Sequence, residues 1–274
     1  MPAKTRLLAV FETVLVFGLV TAGFHALRLA PALHAWEESI PGGWPWIAYA
    51  ALLVFTPLFL RITRRRFSAY GLSWRPLGYH ARIFGAAFLP VFLLSATLGW
   101  VDWRQWPGAL LVSALAAALL ALAAWMMHRQ PTAPGIPGWL GLMAPIFILP
   151  LAANQVENAL FSLAGAYLLV APAEELFFRG YTQSRLNLAF GRPFTTLGIQ
   201  WGWGMLLSAA LFGLWHVVMN PLAASSWMHA LWTFFAGLIF ASVREKSASV
   251  LAPSLLHGVL NYGPQALLCD LVFS

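Results

Sequence analysis

Long apolar runs, separated by short polar or Pro/Gly-rich segments, follow one another along the whole chain. A helix of about 20 apolar residues crosses the hydrocarbon core of a bilayer. The pattern therefore predicts an all-α fold, a polytopic transmembrane helix bundle. Its expected spans are 7–27, 44–60, 83–101, 106–127, 139–156, 158–187, 204–219, 227–243 and 250–271. The second and fifth runs are the least regular, which gives eight or nine spans.

Composition supports this interpretation. Hydrophobic residues make up 60% of the chain and charged residues 9%, whereas soluble domains carry roughly 25% charged residues. We expect one integral membrane domain over residues 1–274. Within it, residues 1–157 would form variable N-terminal helices and residues 158–274 the helices that carry the chemistry. The net charge of +7 resides in short loops, so it indicates topology signals and no nucleic-acid partner.

The positions of Lys and Arg predict the orientation. With nine spans and a cytosolic N-terminus, most basic loops fall on the cytosolic side, as the positive-inside rule requires. The opposite side keeps only Arg28 and Arg104. The Ala- and Trp-rich composition and the short loops favour a bacterial inner membrane. The single cysteine, Cys269, excludes an intrachain disulfide and a cysteine-based metal cluster.

Two adjacent carboxylates, Glu174 and Glu175, end an apolar run. In a helix Glu175 and Arg179 are four residues apart and can pair, while Glu174 points about 100° away. A carboxylate in lipid costs at least ~2.5 kcal/mol on insertion scales. The pair therefore indicates a functional site, with a structural ion pair as the alternative for Glu175.

Two further polar groups lie inside apolar spans: His216 in the seventh, and His257 with Asn261 one turn apart in the ninth. At 1.5 Å per residue, Glu174, His216 and His257 each lie on the order of 13–18 Å from the cytosolic ends of their helices. They could therefore meet in one layer. A single membrane histidine can also serve only as an interhelical hydrogen-bonding residue. Trp215 and Phe212 are interpreted as packing residues, and His229 as interfacial.

The order and spacing Glu174-Glu175-x-x-x-Arg179, Phe212-x-x-x-His216 and His257-x-x-x-Asn261 resemble the CPBP intramembrane proteases. That family includes the type 2 CAAX prenyl proteases and bacteriocin-processing relatives. The resemblance covers about residues 170–263. It implies an intramembrane peptidase in which Glu174 activates water and His216 positions it. His257 and Asn261 would then stabilise the oxyanion, while Glu175 and Arg179 hold the helix.

A zinc mechanism with Glu, His216 and His257 as ligands is the second interpretation, because such a set leaves an open position. Asn261 suits an oxyanion donor better than a zinc ligand, so we expect no metal and no cofactor. The motifs contain no Ser or Cys nucleophile. The expected partner is a membrane-anchored or C-terminally processed protein or peptide; prenylated peptides, bacteriocin leaders and sorting tails stay open. A proton-coupled transporter and a non-catalytic immunity or scaffold protein are the alternatives.

Overall fold

The structure is a computed structural model that describes residues 3–40, 44–72, 77–130, 156–220 and 223–262. Apolar helices dominate it. In chain order they are α1 (Ala3–Arg28), α2 (Pro31–Glu38), α3 (Trp46–Ile62), α4 (Leu77–Trp100), α5 (Trp106–His128), α6 (residues 156–190), α7 (Trp203–Val218), α8 (Ala224–Ser247) and α9 (Leu251–Asn261). A short 3₁₀ turn, Phe67–Tyr70, follows α3.

Five of the described helices, α1, α4, α5, α6 and α8, are long and apolar enough to cross a membrane, and α3 and α7 are shorter apolar helices. Large apolar side chains such as Leu7, Phe11 and Leu110 are exposed on the outer faces, which suits contact with lipid. The chain is thus an integral membrane protein built as a helix bundle. The fifth predicted span, 139–156, lies almost wholly outside the described residues, and so does the end of the ninth. The total of eight or nine spans stays a prediction.

The helix α6 is not uniformly α-helical. Its first turns, Val156–Ala164, lead into a π-helical segment, Gly165–Val170, and α-helical turns at Ala171–Glu175 are followed by a second π-helical segment, Leu176–Gln183. Pro172 provides a local reason for the first segment, because its ring disfavours a regular preceding turn. Each wide turn rotates the side chains that follow it, and π-helical turns occur frequently at functional sites. The two glutamates end the α-helical turns between them.

Small residues bring the helices of the C-terminal half close together. A Cβ at Gly213 of α7 would lie 2.7 Å from the carbonyl oxygen of Ala230 in α8. A Cβ at Gly258 of α9 would overlap the ring of Tyr167 in α6. The absence of side chains at these two positions lets α7 pack closely against α8 and α9 against α6.

A β-hairpin between α6 and α7 was not predicted. Its strands β1 (Phe194–Thr196) and β2 (Ile199–Trp201) are antiparallel, with Thr195 opposite Gln200. Leu197 and Gly198 form the turn with φ of 49° and 69°. The segment is short and rich in β-branched and aromatic residues, which favour strands, and pairing satisfies its backbone groups. The hairpin adds a small β element to a bundle whose described residues are mainly helical.

An ion cluster attaches α1 to the rest of the bundle. The Glu12 carboxylate accepts hydrogen bonds from Arg185 Nε and from the Tyr181 hydroxyl of α6, both at 2.9 Å. It also pairs with Arg65, which follows α3. The cluster gives Glu12, which interrupts the first apolar run, a structural role.

Candidate active site

Glu175 lies at the centre of a fully buried ion pair. Its Oε1 accepts hydrogen bonds from Arg179 Nη1 and from a ring nitrogen of His257, Nδ1, each at 2.9 Å. The side chains of Glu175 and Arg179 are 0% exposed. The predicted pairing four residues apart along α6 is therefore confirmed, and His257 of α9 joins it.

Arg179 links α6 to α8. Its Nη2 donates to the Gly237 carbonyl oxygen at 3.0 Å, and its guanidinium lies over the ring of Phe212, 4.3 Å from the centroid. The ring of Phe240 is 5.4 Å away. A Cβ at Gly237 would come within 3.1 Å of Nη2. The guanidinium thus contacts residues of both α7 and α8 from α6.

Glu174 has a different environment. Its Oε1 accepts hydrogen bonds from the Tyr49 hydroxyl at 2.9 Å and from Trp215 Nε1 at 3.0 Å. Its Oε2 faces His257 Nε2 at 3.6 Å. The interpretation of Trp215 as a packing residue alone is wrong, because its indole N–H binds the carboxylate. Tyr49 was missed: it is a lone tyrosine in α3, outside any motif, and its sequence context carries no signal.

His257 brings α9 to both glutamates. Because a carboxylate oxygen accepts the hydrogen bond at Nδ1, that nitrogen carries the hydrogen and Nε2 faces Glu174. The imidazole stacks on Phe240 with 4.9 Å between centroids and meets the edge of Phe212 at 5.6 Å. Only 3% of His257 is exposed. The sequence-based expectation that Glu174 and His257 share a layer agrees with this geometry.

His216 lies at the edge of this group, next to Phe212 and His229. Its Nδ1 lies 2.8 Å from the Phe212 carbonyl oxygen, so Nδ1 carries the hydrogen there. Its ring packs against Phe212 at 4.8 Å and against His229 at 4.5 Å between centroids. His229, interpreted as interfacial, stacks in turn on Trp232 at 5.1 Å. Phe212 thus contacts both His216 and His257.

Asn261 is the last residue of α9 and lies one turn beyond His257 on the same face. The described part of the chain contains no group of three or more His, Cys, Asp and Glu side chains arranged to hold a metal ion. Oε1 of Glu175 already accepts hydrogen bonds from His257 Nδ1 and from Arg179, and the His216 ring packs against Phe212 and His229. The residues present therefore do not fit a zinc site.

Comparison with known proteins identifies the part of the chain that carries this site. A family model described as type II CAAX prenyl endopeptidase Rce1-like matches residues 156–263, which run from the start of α6 to just beyond α9. No curated protein and no solved structure matches the chain. The matched residues include all three motifs and the helices that hold them. Residues 156–263 are therefore similar to the Rce1-like type II CAAX prenyl endopeptidases.

Proposed function

We propose that the protein is an intramembrane endopeptidase that hydrolyses a peptide bond near a membrane-associated terminal segment of its substrate. One observation carries the proposal: Glu174 Oε2 and His257 Nε2 face each other at 3.6 Å in a buried site. The family match, whose description names an endopeptidase, supports the same reaction class.

The surroundings of the two carboxylates favour Glu174 as the general base. Glu175 is bound to the Arg179 guanidinium, a permanent cation that stabilises its charge. Glu174 receives hydrogen bonds from the neutral donors Tyr49 and Trp215. Glu174 is thus the carboxylate that is available to take a proton. In this proposal Glu175 holds Arg179 and His257 in place.

Charge balance supports the same assignment. Two carboxylates and one guanidinium leave one negative charge, and an uncompensated charge inside a membrane protein is costly. A proton taken from water by Glu174 would make the group neutral, which favours Glu174 as the residue that takes and returns a proton.

The distance between Glu174 and His257 is suited to a bridging water. Polar atoms separated by more than 3.5 Å are often joined through one water. A water about 2.8 Å from both Glu174 Oε2 and His257 Nε2 would make two normal hydrogen bonds. It would be held by the base on one side and oriented by the imidazole on the other. In this proposal His257 takes the water-positioning role that the family resemblance implied for His216.

The reaction then follows without a covalent intermediate. Glu174 removes a proton from the water as its oxygen attacks the substrate carbonyl carbon, and the carbonyl oxygen becomes an oxyanion. When the tetrahedral intermediate collapses, the C–N bond breaks and Glu174 returns the proton to the amine leaving group. Asn261, one turn from His257, is the proposed oxyanion donor. Such donors contribute about 3–4 kcal/mol in related chemistry.

The proposed substrate is a membrane-anchored or C-terminally processed protein or peptide, in keeping with the prenyl endopeptidase description of the family. The proposed setting is a bacterial inner membrane with the N-terminus in the cytosol, which places the basic loops on the cytosolic side. In this orientation the matched helices would receive a terminal segment from the membrane interface.

The test uses the full chain reconstituted into liposomes with two fluorogenic peptides, one carrying a farnesylated C-terminal CAAX sequence and one lacking the lipid. We expect cleavage of at least one peptide by the wild type and none by Glu174→Gln, with the product termini identified by mass spectrometry. A parallel assay with a pH-sensitive dye inside the liposomes reports proton movement. Proton uptake without cleavage would replace the proposal with the transporter alternative.

A further inference from the structure

The carboxylate of Glu174 is bound asymmetrically by groups from two different helices. Tyr49 comes from α3 and Trp215 from α7, and both donate to the same oxygen, Oε1, at 2.9 and 3.0 Å. The other oxygen, Oε2, is the one that faces His257. Two donors on one oxygen fix the rotation of the carboxylate about its last bond, so the two oxygens are not equivalent.

A third ring holds both donors in place. The ring of Phe24 in α1 meets the Tyr49 ring edge-on with 5.2 Å between centroids, and the Trp215 indole at 4.8 Å. Phe24 is 6% exposed and Trp215 is 1% exposed. An aromatic side chain wedged between two others restricts their rotamers. The position of the two donor hydrogens therefore depends on packing between α1, α3 and α7.

We propose that Tyr49 and Trp215 are positioning residues that hold Glu174 Oε1, so that Oε2 alone receives the proton of the attacking water. This inference rests on the proposed function. It adds that α3, which precedes the segment matched by the family model, supplies part of the active site. The N-terminal helices of the chain are then required for the geometry of the base.

The decisive variant is Tyr49→Phe, which removes one hydroxyl and keeps the ring that packs on Phe24. Trp215→Phe removes the second donor. The matched control is Tyr79→Phe. The Tyr79 hydroxyl also donates a partly buried hydrogen bond, at 2.7 Å to the Lys246 carbonyl oxygen, but Tyr79 lies on α4 and does not bind Glu174. Thermal unfolding of each purified variant checks that the fold is kept.

Two measurements follow. In peptide cleavage we expect Tyr49→Phe to lower kcat about tenfold with KM within twofold, since one hydrogen bond to a charged group is worth roughly one factor of ten. In infrared spectra, the carboxyl band of Glu174 is assigned as the band that Glu174→Gln removes. We expect Tyr49→Phe and Trp215→Phe to shift that band and Tyr79→Phe to leave it unchanged.

The two measurements separate the inference from the proposed function. A band shift in a protein that cleaves no peptide would support the two-donor arrangement and refute the peptidase. An unshifted band in both Tyr49→Phe and Trp215→Phe would overturn the inference, whatever the activity. Equal loss of kcat in Tyr49→Phe and Tyr79→Phe would also overturn it, because a general effect on packing would then explain the result.

Discussion

Replacing each of the adjacent glutamates by glutamine should change the stability of the protein by very different amounts. Glu175→Gln removes the charge that pairs with Arg179, whose side chain is 0% exposed, and so leaves a buried guanidinium without its anion. Breaking a buried pair in this way costs roughly 3–5 kcal/mol. Glu174→Gln keeps an oxygen that can still accept from Tyr49 and Trp215. Because both donors are neutral, its cost in stability should be no more than about 1 kcal/mol.

The assay is unfolding of the purified protein in detergent, followed by intrinsic tryptophan fluorescence, with peptide cleavage measured on the same samples. We expect Glu175→Gln to unfold at a clearly lower temperature than Glu174→Gln, and Glu174→Gln to be inactive with near-normal stability. The double variant Glu175→Gln/Arg179→Met removes both charges of the pair, and it should recover much of the stability, since neutral replacement of a whole buried pair is often tolerated.

The reasoning would be refuted if Glu174→Gln lost as much stability as Glu175→Gln, because the two carboxylates would then contribute equally to the stability of the fold. It would equally fail if Glu175→Gln kept normal stability while Arg179→Met lost it. In that case Arg179 would be stabilised by its stacking on Phe212 and its bond to Gly237, and the ion pair would contribute little.

Three further predictions concern topology, the metal and helix packing. A reporter fused after Arg66 should be cytosolic and one fused at Ser274 external; a cytosolic C-terminus would mean an even number of spans. Purified protein should hold no stoichiometric zinc and stay active with chelators, while Asn261→Ala slows turnover roughly 10²–10³-fold; one tightly held zinc per chain by elemental analysis would contradict this. Gly258→Ala should destabilise the protein because the new methyl overlaps the Tyr167 ring. Adding Tyr167→Ala should relieve the overlap, and unfolding temperatures that show no recovery would contradict the packing argument.

Features that depend on local pattern could be predicted from the sequence alone. Apolar runs placed α1, α5 and α8 within about four residues of their bounds and α4 within about six, because a membrane helix must be apolar over its full length. The spacing of Glu175 and Arg179 predicted their contact, since residues four apart on a helix are neighbours. Counting residues along the helices also predicted that Glu174 and His257 lie at similar depth.

Which atoms meet across helices, in contrast, depends on how the helices pack and could not be predicted from local pattern. The depth of a residue along its helix does not show which neighbouring helix its side chain faces. In α6 the π-helical turns also rotate the side chains away from the directions that a period of 3.6 residues predicts. His216 therefore packs beside Phe212 at 4.8 Å, while Trp215, one residue earlier, binds Glu174. Tyr49 joins the same carboxylate from 125 residues away in the chain. That contact arises from the packing of α3 against α6, which no local pattern encodes.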